Sequence, residues 1–376
     1  MLQHNILHFI IIIMIMTHLD SSQSADDDPL APALYVFGDS MVDNGNNNVL
    51  PTVIKANYLP YSVKFAGQVP LGRFTDGKTA ADFIAEYLGL PYPPSYVRVF
   101  GPDSTLSSDV FRETSVRGYN YASAACGLLP NTGIFFGKCI SMDEQIEMFE
   151  STIKSQLAPI FDDHAQLSQY LSKSIFLIIM GNNDYINYYF NPLDLSSKLY
   201  DSDQFAQLLV DTFSQQIKRL YDLGARKIVL SEIGPIGCIP FFAKTGRLFG
   251  NNGTCDENIN RVVSKFNDRL VTMLPNLSNS FIDSHFFLMR VYQSSYDLIM
   301  NHAKYGFSDS SNPCCRSWMN GRLSCIPNIA PCPDSNKHIF WDGFHLTEAA
   351  TRYFITDCIF GHSTCFPFNL KHLVEL

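Results

Sequence analysis

The sequence has little charge and no basic cluster. Only 17% of its 376 residues are charged, and 27 Lys and Arg residues stand against 36 Asp and Glu residues, for a net charge of −9. A nucleic-acid-binding protein needs Lys and Arg side chains concentrated on one surface to neutralise phosphates, so this function class is not favoured. The hydrophobic fraction of 46% is too high for an intrinsically disordered chain. The composition therefore predicts a folded globular protein without a nucleic-acid partner.

Long hydrophobic runs are missing beyond the N terminus. The run from Ile6 to Met16 has eleven residues and is interrupted only by His8. It is too short to cross a bilayer but has the length of the hydrophobic region of a secretory signal peptide, and small residues that could form a cleavage site follow it. We therefore expect residues 1–25 to be a signal peptide and residues 26–376 to form one domain. The mature protein is predicted to be secreted, for example into the cell wall, and to have no transmembrane segment.

The motifs of two common classes of α/β enzyme are also absent. The chain contains no G-x-S-x-G, which forms the nucleophile elbow of α/β-hydrolase lipases. It contains no G-x-G-x-x-G either, which binds the pyrophosphate of dinucleotide cofactors. Neither an α/β-hydrolase nor a dinucleotide-dependent enzyme is therefore favoured.

The ten cysteines all follow the predicted signal peptide. An even number in an exported protein indicates up to five disulfides, whose pairing the spacing leaves open. Cys126 with Cys139, and Cys238 with Cys255, would each close a short loop. No C-x-x-C pair occurs, and no His stands at ligand spacing near the four cysteines at 314–332, so a zinc site is not favoured.

Two N-x-S/T sequons occur in the part of the chain that is predicted to be exported. They begin at Asn252 and Asn276. Glycan attachment requires an accessible asparagine, so we expect both residues to lie on surface loops. Both are candidate glycosylation sites.

Short apolar runs alternate with amphipathic helices along the rest of the chain. Runs that are hydrophobic throughout are typical of parallel strands covered on both faces. The helices between them have recognisable ends: a capping box begins at Ser141, one helix spans 203–223, and another begins at Glu257 and is expected to end at Pro275. This alternation predicts a three-layer α/β/α sandwich around a parallel sheet. The predicted strands are Ala33–Phe37, Tyr119–Ala122, Ile175–Met180, Lys227–Ser231 and Phe281–Asp283.

Polar residues follow several of these strands. Ser40 comes after the first strand, Ser123 after the second and Asn183 after the third, and an Asp-x-x-His sequence, Asp342 to His345, lies near the C terminus. Ligands of open parallel sheets bind at the carboxyl ends of the strands. We therefore expect these residues to lie close together.

Together these residues supply the parts of a serine hydrolase. Ser40 would be the nucleophile, His345 the base that takes its proton, and Asp342 the carboxylate that orients the imidazole. A serine hydroxyl is a poor nucleophile at neutral pH, so the adjacent base is a chemical requirement. The oxyanion would be bound by the backbone N–H of Ser40, the backbone N–H of Gly127 and the side-chain amide of Asn183.

Each of these assignments has a structural alternative. Ser40 could cap a helix, and Asp342 and His345 could form a solvated turn before the next helix. Asn183 could be a turn residue whose side chain bonds its own backbone. His285, which follows a predicted strand, is the other candidate base.

Four short stretches form a set: FGDS at 37–40, NYAS at 120–123, GNND at 181–184 and DGFH at 342–345. In this order and at these separations they resemble the four blocks of the GDSL esterase/lipase (SGNH hydrolase) family, and the resemblance extends over about residues 33–360. It implies a flavodoxin-like α/β/α fold and hydrolysis of carboxylic esters without a metal or organic cofactor. By position it assigns the nucleophile to Ser40, the oxyanion donors to Gly127 and Asn183, and the rest of the triad to Asp342 and His345.

Three further stretches, at 72–79, 234–240 and 255–260, resemble the secreted plant branch of this family. The chain departs from that branch at Leu346, where Pro usually follows the catalytic histidine. Because Pro would preset φ at the start of the helix, Leu should loosen this turn without removing a catalytic atom. In the second block, Cys126 is the alternative to Gly127 as the N–H donor.

The sequence thus predicts a secreted serine esterase or lipase that works through an acyl-enzyme. Its ester substrate could be a lipid, an acylated polysaccharide or a small acylated metabolite, since a fold does not fix the substrate. The alternative is a secreted binding or structural glycoprotein of the same fold that has lost catalysis. All five proposed catalytic positions are intact, which favours the enzyme.

Overall fold

One five-stranded sheet forms the centre of the protein. The computed structural model describes residues 28–100, 116–193, 199–248 and 254–376, so the predicted signal peptide and Asn252 lie outside the described residues. The sheet has the order β1-β2-β3-β4-β5, in which the first four strands are parallel and β5 is antiparallel to β4. Strands β1, β2 and β3 are buried along their whole length. The strands are Leu34–Gly38 (β1), Ile175–Ile179 (β2), Lys227–Ser231 (β3), His285–Met289 (β4) and Cys365–Phe366 (β5).

The predicted strand at Tyr119–Ala122 is not one of these five, but it runs beside β1. The N–H of Val36 donates to the Tyr119 carbonyl at 2.9 Å, and the N–H of Tyr121 donates to the Val36 carbonyl at 2.8 Å. Counted as a strand, this segment gives the flavodoxin-like order 2-1-3-4-5. In that order, the connections from β1 and from the 119–122 segment lead to opposite sides of β1, which makes a topological switch point between β1 and β2. A crevice is expected at the carboxyl ends of these two strands.

Helices cover both faces of the sheet. Alternate strand residues point to opposite faces: Tyr35 and Phe37 pack in one hydrophobic core, and Leu34 and Val36 in another. The first core is covered mainly by Met142–Thr152, His164–Lys173, Ser202–Asp222 and Glu257–Ser280, and the second by Ala80–Leu88, Glu348–Phe360 and Leu370–Glu375. The predicted three-layer α/β/α architecture is confirmed.

Shorter helical segments complete the part of the chain that the structure describes. The α-helical ones follow β1, lie in the connections between strands, or follow β4. None of the helices in the described ranges is both long enough and apolar enough to cross a membrane. The shorter α-helices are Asn46–Val49, Tyr96–Phe100, Pro240–Leu248, Val291–Met300 and Trp318–Gly321, and Ile153–Leu157 and Asp184–Tyr189 are π-helical.

The prediction of a strand at Phe281–Asp283 is wrong. The preceding helix does not end at Pro275 but continues to Ser280, and the strand of this region begins at His285. Leu277, beyond the proline, is buried in the core, so the packing of this apolar face outweighs the hydrogen bond that the proline removes. Asn276 is exposed near the C-terminal end of this helix rather than on a loop.

All ten cysteines form disulfides. The two local pairs expected from spacing are present, and the cluster at 314–332 forms two further bridges around the buried side chain of Trp341. The fifth pair joins the last long helix to β5. The pairs are Cys126–Cys139, Cys238–Cys255, Cys314–Cys332, Cys315–Cys325 and Cys358–Cys365.

A buried ion pair anchors the loop before the Ala80–Leu88 helix. Arg73 donates from Nε and Nη2 to the two carboxylate oxygens of Asp82, each at 2.7 Å. Both residues are buried, and Asp82 also accepts the N–H of Thr79 at 2.8 Å. The next residue, Phe74, lies with its ring centre 5.2 Å from that of His345. The ion pair therefore fixes a loop that reaches the proposed catalytic histidine.

We predict that Arg73→Met lowers the free energy of unfolding by about 3–5 kcal/mol, because it leaves the buried Asp82 carboxylate without its partner. Arg73→Lys should cost less but should not restore full stability, since an ammonium group cannot form two parallel bonds to one carboxylate. Urea unfolding with the disulfides intact measures both changes. A loss below about 1 kcal/mol for Arg73→Met would be the value of an exposed pair and would contradict this account.

Candidate active site

Ser40 lies on a tight turn directly after β1. Gly38 ends the strand with φ 156°, and a Cβ at this position would overlap with the Ile179 carbonyl oxygen and the Val42 side chain. The Gln145 amide bonds both the N–H and the carbonyl of Gly38, each at 2.9 Å. The N–H of Ser40 has no acceptor among the described residues. The turn is thus rigid, and it presents a free donor beside the Ser40 hydroxyl.

The structure brings Ser40, His345 and Asp342 together. His345 Nε2 lies 2.8 Å from Ser40 Oγ, although the two residues are 305 positions apart. The other ring nitrogen, Nδ1, lies 2.8 Å and 2.9 Å from the two carboxylate oxygens of Asp342. Asp342 is fully buried and His345 is 8% exposed. This is the hydrogen-bond order that a Ser-His-Asp triad requires.

Asp342 also folds the turn that carries His345. Its Oδ1 accepts the N–H groups of Phe344 and His345, each at 2.9 Å. Burial alone would raise the pKa of Asp342, but the charge of His345 and the hydrogen bonds from His345, Tyr61 and Phe344 hold this pKa below its usual value. The Asp-x-x-His spacing therefore places the Asp342 carboxylate and the His345 imidazole in one short turn.

Tyr61 contacts this carboxylate and was not found by sequence reasoning. Its hydroxyl donates to Asp342 Oδ2 at 2.6 Å and accepts the N–H of Cys325 at 3.2 Å. Tyr61 and Asp342 are 281 residues apart, so no local pattern in the sequence could indicate the contact.

Asn183 faces the same site from the end of β2. Its Nδ2 donates to the Cys126 carbonyl at 3.0 Å, and its Oδ1 accepts from Asn187 at 2.9 Å. A side-chain amide has two N–H groups, so one remains for a ligand. The neighbouring Asn182 donates to Asp39 Oδ2 at 3.3 Å, and burial raises the pKa of Asp39 to about 6.

Gly127 lies beside the site but does not line its cavity, whereas Ala125, with φ 71°, does. A Cβ at Gly127 would collide with the carboxylate of Asp184. That carboxylate accepts the N–H groups of Leu128 and Leu129 at 2.9 Å and 3.0 Å. The close approach of Asp184 explains why this position has no side chain.

His285, the other candidate base, is far from this group. It is the first residue of β4, so it lies at the amino-terminal edge of the sheet, opposite to Ser40. Among the aromatic residues after Asn183, Phe190 lines the cavity, and Tyr185 is buried against Phe205. Leu346, the departure from the plant branch, lines the cavity too.

An apolar cavity of about 520 Å³ adjoins Ser40 and His345. Most of its lining is aliphatic or aromatic, and Asn182, Asn183 and Asn187 provide polar groups near Ser40. The described residues contain no group of three or more His, Cys, Asp or Glu side chains that could hold a metal ion. The arrangement thus offers a hydroxyl nucleophile, a base and an apolar binding space.

Comparisons with known proteins identify the family of this chain. The family model described as GDSL-like Lipase/Acylhydrolase matches residues 34–356. The chain is 42% identical to GDSL esterase/lipase 7 of Arabidopsis thaliana, over 97% of this chain and 98% of that protein. A second Arabidopsis thaliana protein named as a GDSL esterase/lipase is 39% identical, over 93% of this chain and 87% of its own length. A third is 37% identical, over 98% of this chain and 93% of its own length. The chain therefore belongs to the GDSL-like lipase/acylhydrolase family and is a carboxylic ester hydrolase.

Proposed function

We propose that this enzyme is a secreted serine esterase or lipase that uses Ser40, His345 and Asp342. The observation that carries the proposal is the 2.8 Å approach of His345 Nε2 to Ser40 Oγ while Nδ1 is held by a buried carboxylate. The substrate is an ester of a lipid, an acylated polysaccharide or a small metabolite. Five disulfides support an extracellular location, because disulfides persist mainly in oxidising compartments.

The reaction proceeds through an acyl-enzyme. His345 removes the Ser40 proton as Oγ bonds to the ester carbonyl carbon, and the imidazolium then returns this proton to the departing alkoxide. In the second half, His345 takes a proton from water, whose oxygen bonds to the acyl carbon while the acyl–Oγ bond breaks. Ser40 receives the proton, and the carboxylic acid leaves. Asp342 stabilises the imidazolium in both halves.

The oxyanion is bound by donors that are in place before reaction. We assign this role to the Ser40 N–H and the second N–H of the Asn183 amide. The third donor is expected from the turn at 125–127, where Gly127 was predicted from sequence and Ala125 lines the cavity. Losing one such donor typically raises the barrier by about 3–4 kcal/mol.

We predict hydrolysis of p-nitrophenyl esters and covalent labelling by a fluorophosphonate, both abolished in Ser40→Ala. The expected fall in kcat is about 10⁴-fold or more, because the nucleophile is removed. Release of p-nitrophenolate and in-gel fluorescence measure the two effects. If correctly folded wild-type protein shows neither activity nor labelling, the alternative holds, and the protein is a binding or structural glycoprotein of the same fold that has lost catalysis.

We predict that kcat/KM falls as the pH decreases from about 8 to 5, because a protonated imidazole cannot accept the Ser40 proton. Asp342, whose pKa lies below its usual value, stays ionised over this range. Initial rates across the range measure the profile. Burial raises the pKa of Asp39 to about 6, so Asp39→Asn is the control, and the acid limb should persist in it. A flat wild-type profile would remove His345 as the base.

A further inference from the structure

The cavity beside Ser40 extends along the carboxyl edge of the sheet. Its lining includes Ser40 after β1, Ile179 at the end of β2, Gly234 shortly after β3 and Met289 at the end of β4. Neighbouring strands are about 4.8 Å apart, so the path from β1 to β4 is about 14 Å long. Ser40 is partly exposed, whereas Met289 and Ile299 at the other end are buried. The space is therefore long and opens near the nucleophile.

The far part of the cavity is mostly apolar, and the Ser295 hydroxyl is one polar group that also lines it. Its wall includes the buried side chains of Met289, Ile299 and Phe354. At the end of β3, the polar side chains of Ser231 and Glu232 form hydrogen bonds within the protein. The Glu232 carboxylate accepts the N–H of Tyr292 at 3.1 Å, and the Ser231 hydroxyl donates to the Glu232 carbonyl at 2.9 Å. A polar ligand such as a sugar would lose its hydrogen bonds to water in this space.

We propose that this cavity binds an unbranched acyl chain of about ten carbons, so that the enzyme acts on fatty-acyl esters rather than acetylated sugars. The proposal rests on the proposed esterase function. An extended chain with C–C bonds of about 1.5 Å advances roughly 1.25 Å per carbon, so about eleven carbons cover the distance from β1 to β4. The volume lies in the range of cavities that enclose most of a ligand's surface.

The test is a series of p-nitrophenyl esters from acetate to hexadecanoate, below their critical micelle concentrations. We expect kcat/KM to rise by up to fourfold for each added methylene, since each one that is buried leaves water, and to level off near ten to twelve carbons. Highest kcat/KM on acetate, with no gain from longer chains, would overturn the proposal while leaving the esterase function intact.

Gly234 allows the cavity to be shortened. A Cβ there would meet no atom within 4 Å, so the side chain of Gly234→Leu extends into open space. We expect the ratio of kcat/KM for the decanoate and butanoate esters to fall at least tenfold. Ser168→Leu, which introduces the same side chain at an exposed position on the His164–Lys173 helix, should leave the ratio unchanged. An unchanged ratio in Gly234→Leu would contradict the assigned path.

A binding measurement separates this proposal from the catalytic one. Ser40→Ala should bind decanoate and not butyrate in calorimetric titrations, with a negative heat-capacity change that indicates apolar burial. Decanoate binding by a protein that hydrolyses no ester would support the cavity assignment and reject the catalytic function. Hydrolysis without any chain-length dependence in binding or kcat/KM would support the catalytic function and reject the cavity assignment.

A second inference concerns the Tyr61 hydroxyl, which is held between two groups. Because it accepts the Cys325 N–H at 3.2 Å, its own proton points to Asp342 Oδ2 at 2.6 Å. Cys325 forms a disulfide with Cys315, whose N–H donates to the carbonyl of Trp341 at 2.9 Å. The Cys315–Cys325 disulfide therefore connects the N–H that bonds the Tyr61 hydroxyl to Trp341, the residue directly before Asp342.

We infer that Tyr61 is a positioning residue that acts through Asp342. Its hydroxyl fixes the carboxylate so that both oxygens face His345 Nδ1. Tyr61 is fully buried, and burial raises its pKa well above the usual value, so it remains a donor at every pH at which the enzyme works. Its ring packs against Phe74, whose ring in turn contacts His345.

Tyr61→Phe tests this role. The free energy of a hydrogen bond to a charged group corresponds to a change of about tenfold or more in an equilibrium or rate constant. We therefore expect kcat to fall at least tenfold with KM unchanged. Tyr35→Phe is the matched control, because Tyr35 is also fully buried and its hydroxyl bonds the Tyr170 hydroxyl at 2.9 Å and not Asp342. Its kcat should remain at the wild-type value. A wild-type kcat in Tyr61→Phe, or an equal loss in both variants, would overturn the inference while Ser40→Ala still tests the nucleophile.

Discussion

The buried carboxylate of Asp342 is the group around which the site is arranged. An ionised carboxylate loses its hydration on burial, so it is tolerated only where donors replace the water. Here these donors are the N–H groups of Phe344 and His345, the Tyr61 hydroxyl and the His345 imidazole. Satisfying the carboxylate therefore fixes the turn and the imidazole at the same time. The position of the His345 imidazole is a consequence of the requirement that a buried charge be paired.

The topology brings the Ser40 hydroxyl to the His345 imidazole. Ser40 and Asn183 follow two adjacent parallel strands, and the segment at 119–122 lies on the other side of β1. The loops after these three segments therefore meet at the topological switch point of the sheet. Gln145 fixes the Ser40 turn from a helix, and the Cys315–Cys325 disulfide fixes the residues next to Asp342 from a loop. Elements that are distant in sequence thus hold the Ser40–His345 distance.

The sequence predicted the elements whose signals are local. Strands β1 to β3 are continuous apolar runs, and the Ser141 capping box forms as expected, with the Ser141 side chain accepting the N–H of Glu144. The end of the Glu257–Ser280 helix was predicted wrongly, because Pro275 is a local stop signal that core packing of Leu277 outweighs. Tyr61 could not be predicted, since its contact with Asp342 depends on tertiary structure. Local signals thus predict elements and motifs, whereas the polar contacts that complete the site depend on packing.

The apolar cavity and the polar group of Ser40, His345 and Asp342 support each other physically. Side chains such as Phe74, Phe344 and Leu346 line the cavity close to His345 and reduce the access of water. In a medium of low dielectric constant, hydrogen bonds to a developing oxyanion are stronger than in water, and donors that are already oriented need no reorganisation. An acyl chain that fills the cavity would displace the remaining water and strengthen these interactions further. In the proposed reaction, substrate binding and transition-state stabilisation would thus be coupled through the same apolar wall.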